Sequence, residues 1–171
     1  MKFNSKTNKI ILTFFGAGLL RPAPGTWGSL AGLIVALPIV KFLTLESLFL
    51  LAILFLLIGI SETNKYEANG GEHDNSSIVI DEVVGIWITL SMGLAVTANN
   101  EKLSILACIL SFVFFRAFDI KKPSIIGKID RDVKGGYGVM LDDVVAGFFA
   151  GLGVLIVLGA MIKFGYSHLI F

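Results

Sequence analysis

The chain has 171 residues, of which 55% are hydrophobic and 16% charged, and its mean hydropathy is +0.83. Average soluble domains are about one quarter charged, so this composition excludes a disordered chain, an acidic or basic tail protein and a simple electrostatic nucleic-acid binder. A net charge of +1 provides no global field to gather polyanions, and the single cysteine, Cys108, excludes a disulfide framework or a multi-cysteine zinc site. The length suits one domain over residues 1–171, and the hydropathy predicts a small polytopic membrane protein.

In chain order, the apolar piece Ile10–Leu20 is broken by Gly16 and Gly18 and reads as a re-entrant or interfacial half-helix. No charged-then-apolar signal with a small-residue cleavage site precedes it, so the N-terminus is expected to stay attached. Five uncharged stretches follow: Pro22–Val40, Ser47–Ser61, Val83–Asn100, Leu103–Phe115 and Val144–Ile162. A spanning helix needs about 20 mostly apolar residues, with about 17 as the lower limit. The first, third and fifth meet it, and the other two are short unless apolar neighbours such as Phe42, Leu43, Ala117 and Phe118 extend them past single charges. The predicted fold is therefore all-α, a polytopic membrane helical bundle of about five spans plus the short N-terminal helix. Gly28/Gly32 and Gly147/Gly151 are GxxxG pairs, which either permit close helix approach or reflect loose glycine use in lipid.

With five spans and the N-terminus inside, the cytoplasmic segments hold Lys2, Lys6, Lys9, Arg21, Lys65, Arg116, Lys121, Lys122, Lys128, Arg131 and Lys134. The outer segments hold only Lys41, Lys102 and Lys163. That asymmetry is a positive-inside signal.

Three polar clusters fall on the cytoplasmic side. In Arg21-Pro22-Ala23-Pro24-Gly25-Thr26-Trp27-Gly28-Ser29 the prolines stop a preceding helix, and Thr26 is a good N-cap for the next. The free N–H groups of such a helix start suit a phosphate oxygen, although every span needs a beginning and Trp27 reads equally as an interface anchor. The second and third clusters, Ile80-Asp81-Glu82-Val83-Val84-Gly85 and Leu141-Asp142-Asp143-Val144-Val145-Ala146, echo each other, each opening a hydrophobic helix. One acid of each pair is explicable as an N-cap. The other points about 100° away and at the edge of hydrocarbon calls for compensation, for which a metal cation is the strongest candidate. Asp119, three residues after Arg116, can share its helical face, or the two can form an ordinary surface pair. Pro123 is expected to end that helix and hold Lys122 extended. Lys134-Gly135-Gly136-Tyr137-Gly138 reads as a flexible loop, able to approach an anion or merely to link.

Hard oxygen ligands select magnesium or calcium, and a metal-bridged phosphate is their natural substrate group. Cys108 lies in an apolar span, where a thiol is inert packing. His168 falls in the tail on the far side, which leaves His73 alone near the acids. Cysteine and two-histidine phosphatase chemistries are thereby excluded, leaving water on a metal or an aspartate as the attacking group.

The runs GAGLLRPAPGTWGSLAGL (16–33), HDNSSIVIDEVVGIWITL (73–90), FRAFDIKKP (115–123) and KGGYGVMLDDVVAGFFAG (134–151) resemble the phosphatidylglycerophosphatase A family, in order and over about half the chain. The resemblance implies a magnesium-dependent, multi-pass enzyme of the bacterial inner membrane with its active site facing the cytoplasm. Its expected partner is a phospholipid substrate in the bilayer, phosphatidylglycerophosphate, and not nucleic acid. It carries over Asp74, Asp81, Glu82, Asp119, Asp142 and Asp143 as metal ligands, all but Asp74 also as catalytic groups, and Thr26, Ser29, Arg116 and Lys122 as substrate-binding groups. After Pro123 the family commonly shows Trp-Pro-Ile-Arg where this chain has Ser124-Ile125-Ile126-Gly127, so any role of that arginine is lost or falls to Lys128. Glu62 and Glu72 match no motif. Two other readings stay open: a small cation transporter, which would place acids at mid-membrane with repeat symmetry, and a soluble helical metal-dependent phosphatase.

Overall fold

The computed structural model describes residues 3, 5–97, 100–123 and 125–164; His168 and the end of the third apolar stretch, at 98 and 99, lie outside them. Among the described residues, seven α-helices and one 3-10 turn follow in order: α1 (Lys6–Leu12), the 3-10 turn (Ala17–Leu19), α2 (Pro24–Phe42), α3 (Leu45–Ala68), α4 (Ile80–Leu94), α5 (Glu101–Lys121), α6 (Ile125–Asp132) and α7 (Gly135–Lys163). Local chemistry sets several starts. The Ser5 hydroxyl accepts from the Asn8 N–H, Thr44 from Ser47 N–H and the Asn100 side chain from Leu103 N–H, each satisfying an orphan donor of the first turn.

Helices α2, α3, α5 and α7 are long and apolar enough to cross a membrane. The two stretches that looked short, Ser47–Ser61 and Leu103–Phe115, sit inside helices of 24 and 21 residues. Both run on through flanking charges, Glu46 and Glu62 in α3, Glu101 and Arg116 in α5, which fall near the helix ends where long side chains reach water or a partner. The Val83–Asn100 stretch behaves differently. It yields α4, 15 residues and so about 22 Å long, with eleven residues buried. Helix α4 is the hub around which α2, α3, α5 and α7 pack.

Glycine makes the hub possible. A Cβ at Gly147 would stand 2.5 Å from the Gly85 carbonyl oxygen, and one at Gly151 2.4 Å from Met92 Sδ. On the other side, Gly28 abuts Val79 and Gly32 abuts Val83 and Ile86. Both GxxxG pairs thus bring a span against α4. Polar links lock the crossings: Trp87 Nε1 donates to the Gly32 carbonyl at 2.8 Å, and the Thr89 hydroxyl shares its one proton between the Gly147 and Gly85 carbonyls, each 2.9 Å from Oγ1. The outward faces carry Ile34, Leu50, Leu57, Ile105, Ile109 and Ile156, all exposed, an apolar surface suited to lipid rather than water.

The N-terminal half-helix expected over Ile10–Leu20 takes another form. Helix α1 ends at Leu12, and Phe14, Phe15 and Gly16 all have positive φ, which turns the chain into the 3-10 turn. Val79 N–H donates to the Leu12 carbonyl at 2.8 Å, and Gly18 lies so close to the Ser77 carbonyl that a Cβ would stand 2.2 Å from it. The N-terminal segment therefore braces the loop before α4.

Candidate functional site

The starts of α2 and α4, the end of α5 and the early turns of α7 meet at one end of the bundle around a cavity of about 370 Å³. Asp74, Asp81, Glu82, Arg116, Asp119, Lys122, Asp142 and Asp143 line it, together with Ala23, Pro24, Gly25, Ser76, Ile78 and Ile120. All six predicted acids and both predicted cations thus come to one place, although they are spread along the chain from Asp74 to Asp143.

Asp81, Glu82 and Asp143 can each offer a carboxylate oxygen within 4.8 Å of the other two. Asp143 is 3% exposed and Asp81 8%. Three such groups repel one another in a poorly solvated site unless a cation or a proton intervenes. Two further observations fit a cation. Glu82 Oε2 and Asp142 Oδ1 are buried with no hydrogen-bond partner among the described residues, whereas buried polar atoms are ordinarily paired. The all-oxygen donor set also matches a hard divalent ion.

Neither acid pair is a helix cap. Val79 is the N-cap of α4, so Asp81 and Glu82 lie in its first turn. Asp142 and Asp143 lie about two turns inside α7, because the helix begins at Gly135. The glycine run expected to be a flexible loop is the first turn of that helix. Its glycines serve contact: Gly136 N–H donates to Asn64 Oδ1 at 2.7 Å, and a Cβ there would stand 2.3 Å from the Ile60 carbonyl oxygen. Close packing on α3 replaces the solvation that would otherwise keep such a sequence loose.

The cations are held by acids. Arg116 pairs with Asp119 through Nη1, with Glu82 Oε1 4.0 Å away; the Arg116 and Asp119 side chains are about 15% exposed, so this is no surface pair. Arg116 Nε is buried without a hydrogen-bond partner among the described residues. Lys122 bonds to Asp130 and, at 2.8 Å, to Asp142. Burial opposes the Lys122 ammonium, but these two hydrogen bonds outweigh it and raise its pKa above the ordinary lysine value. Burial likewise raises the carboxyl of Asp74, in the loop before α4, with Lys122 acting against the shift. The Lys122 backbone is not extended as its position before Pro123 suggests. It is the left-handed C-cap of α5, with φ 40° and its N–H bonded to the Phe118 carbonyl, and this turn aims the side chain back at Asp142.

Two predicted binding residues stand elsewhere. Thr26 is not the N-cap of α2, because Pro24 already occupies the first turn and Ala23 is the cap; Thr26 does not line the cavity. Ser29 is fully buried behind it, donating to the Gly25 carbonyl at 2.8 Å and accepting from Arg116 Nη1 at 3.4 Å. Its contact is with the arginine. Lys128 is exposed and off the cavity wall. The acids left out of the site are accounted for: Glu62 takes Asn8 and Lys65, and Glu72 takes Asn75. His73 lies against Glu67 at 2.6 Å.

Sequence reasoning passed over two residues. Gly25 is one: a Cβ there would stand 2.2 Å from Glu82 Oε1 and 3.2 Å from Arg116 Nη1, so the glycine leaves room for these two side-chain ends to stand where they do. Its place in the Pro-Gly-Thr run was the available signal. Asp130 of α6, which holds Lys122, carried none.

A helical bundle with apolar outer faces gathers, at one end, clustered carboxylates beside a guanidinium, the arrangement of a membrane-type protein with a polar site suited to a cation and an anionic group. The family is settled by comparison, for the sequence model of phosphatidylglycerophosphatase A matches residues 10–158, and the chain belongs to that family. It is 40% identical to a Haemophilus influenzae protein named phosphatidylglycerophosphatase A, over 80% of this chain and 79% of that one. The Escherichia coli protein of the same name is 38% identical, over 85% of this chain and 79% of its own. A Bacteroides thetaiotaomicron protein named putative phosphatidylinositol-3-phosphatase is 40% identical, over 88% and 92%. No solved structure matches.

Proposed function

We propose that this chain removes the terminal phosphate of phosphatidylglycerophosphate, giving phosphatidylglycerol and inorganic phosphate, with magnesium as its cation, at the cytoplasmic face of a bacterial inner membrane. The observation that carries this reading is the convergence of Asp81, Glu82 and Asp143, within 4.8 Å, in a cavity shared with Arg116. Asp81, Glu82 and Asp143 would hold the cation, with Asp74, Asp119 or Asp142 completing its shell. When bound it supplies positive charge to the phosphate and makes water a better nucleophile at neutral pH.

The remaining chemistry belongs to the chain. Arg116, oriented by Asp119 and Ser29, presents its guanidinium charge to a phosphate oxygen. Lys122, fixed between Asp130 and Asp142, contributes a second positive charge to the wall. Hydrolysis breaks the bond from the terminal phosphorus to the glycerol oxygen. Water supplies the new oxygen on phosphorus, and a proton passes to the departing alkoxide. The acyl chains stay in the bilayer because the cavity opens at the end of the spans, at headgroup depth.

The test is phosphate release from phosphatidylglycerophosphate in mixed micelles. Activity should appear with magnesium and vanish on chelation. Asp143→Asn should lower kcat/KM on the order of a hundredfold or more, the scale of losing one transition-state contact, while helical circular dichroism stays unchanged. Retained activity in that variant removes Asp143 from the chemistry. Because one relative is named for a phosphoinositide, phosphatidylinositol 3-phosphate belongs in the same assay; faster turnover of that lipid would reassign the substrate.

A further inference from the structure

The arginine and lysine of the cavity are both engaged by acids, whereas Arg21 is not. It is exposed, forms no ion pair among the described residues, and its one polar contact is a 3.5 Å hydrogen bond from Nη1 to Ser76 Oγ. Ser76 lines the catalytic cavity and also a second polar hollow of about 560 Å³, whose wall includes Arg21, Tyr66, Glu72 and Asn75. Glu72, the acid of that hollow, accepts from Asn75 Nδ2 at 3.1 Å and is not paired to Arg21. By sequence, Arg21 stands directly before Pro22-Ala23-Pro24-Gly25, three residues of which line the cavity. Directly before it come Leu19 and Leu20, both exposed, and exposed Trp27 follows one turn into α2. Apolar residues and a tryptophan beside a cation mark headgroup depth in a bilayer.

We infer that Arg21 binds the phosphodiester phosphate of the lipid, the one that is not cleaved, while the terminal phosphate lies among the carboxylates. The inference rests on the reading of the chain as a glycerophospholipid phosphatase and names what that reading leaves open, namely how the site distinguishes a lipid headgroup from a free phosphomonoester. Such a headgroup carries two phosphates of different kind joined by a polyol, so it calls for two cationic sites on either side of a short polar bridge. Ser76, shared by cavity and hollow, is that bridge. A guanidinium fits the outer site because it stays charged at any working pH and offers two parallel donors to phosphate oxygens. The same logic holds whether the polyol is glycerol or inositol.

The experiment compares the wild-type chain with R21A and R21K in mixed micelles, using two inhibitors that separate the phosphates. Phosphatidylglycerol carries only the diester phosphate, and inorganic phosphate resembles only the cleaved one. R21A should raise KM for phosphatidylglycerophosphate and the inhibition constant of phosphatidylglycerol by about tenfold each, the size of one charge-assisted contact. The inhibition constant of inorganic phosphate should stay within about twofold, and R21K should recover part of the loss. Arg21 is exposed, so the variants should share the wild-type thermal midpoint. Unchanged KM in R21A, or equal weakening of both inhibitors, overturns the inference. A wild-type chain that hydrolyses none of the lipids overturns the functional reading instead.

Discussion

At position 25 the absence of a Cβ leaves the room that Glu82 and Arg116 occupy. Gly25→Ala places a methyl carbon against Glu82 Oε1 and close to Arg116 Nη1, so one of these must leave its place. We expect kcat/KM to fall by about tenfold or more, with a much smaller change in thermal midpoint, since the clash is with the ends of side chains that line the cavity rather than with the core. Lys122→Met tests the opposite property. It leaves Asp142, 6% exposed at its side chain, without its cation. Removing one partner of a fully buried pair costs about 3–5 kcal/mol, but Lys122 and Asp130 are each about 30% open to water, so a loss of about 1–2 kcal/mol is expected in detergent unfolding. Both effects arise from residues whose chemistry was legible in the sequence for Lys122 and only hinted at for Gly25. The difference is physical: a charge declares what it needs, whereas a glycine acquires meaning from the neighbour that comes close to it.

At the scale of the element, α4 is the piece on which the others depend, and its crossings with α7 and α2 rest on backbone approach. Gly147→Val would force a side chain onto the Gly85 carbonyl oxygen, 2.5 Å from where its Cβ must stand. Neither partner can yield, because both are helix backbone. The expected cost is about 1–3 kcal/mol or more, the range of overpacked cores, together with loss of activity as Asp143 is pushed from Asp81. Gly159→Ala, in the same helix but with no neighbouring atom within 4 Å, should be neutral or stabilising by up to about 1 kcal/mol. A difference between the two variants in thermal unfolding checks the packing account. This scale also holds the clearest departures from sequence expectation. Hydropathy gave the Val83–Asn100 stretch the length of a full span, but its helix stops at Leu94. Ser47–Ser61 and Leu103–Phe115, which looked short, form helices that run through charges. Apolar run length measures where charge is absent. Helix length is set by capping and by whether a charged side chain finds a partner, as Glu62 does with Asn8 and Lys65.

For the whole molecule, apolar residues cover the outside while the densest group of charges lies inside one end. A soluble bundle distributes them the other way. The chain should therefore remain in the membrane fraction through high-salt and alkaline washes and leave it only in detergent. Appearance in the aqueous supernatant would contradict an apolar, lipid-facing exterior. The cation-transporter reading finds no support in the same arrangement, since the acids gather at the end of the bundle where α2 and α4 begin, in a cavity bounded by Pro24 and Lys122, rather than midway along the spans.

Sequence by itself determined the class of fold, the membrane habit and the set of acids, because hydropathy and charge are properties of each residue and survive without coordinates. The family motifs added which acids belong together. Tertiary structure alone decided how they do so: that Asp142 and Asp143 enter from within a helix rather than at its cap, that Ser29 serves Arg116, that Asp130 secures Lys122, and that Arg21 lines a neighbouring hollow against Ser76. Those outcomes follow from distances between segments far apart in the chain, set by glycine contacts and helix register, and no local pattern encodes them.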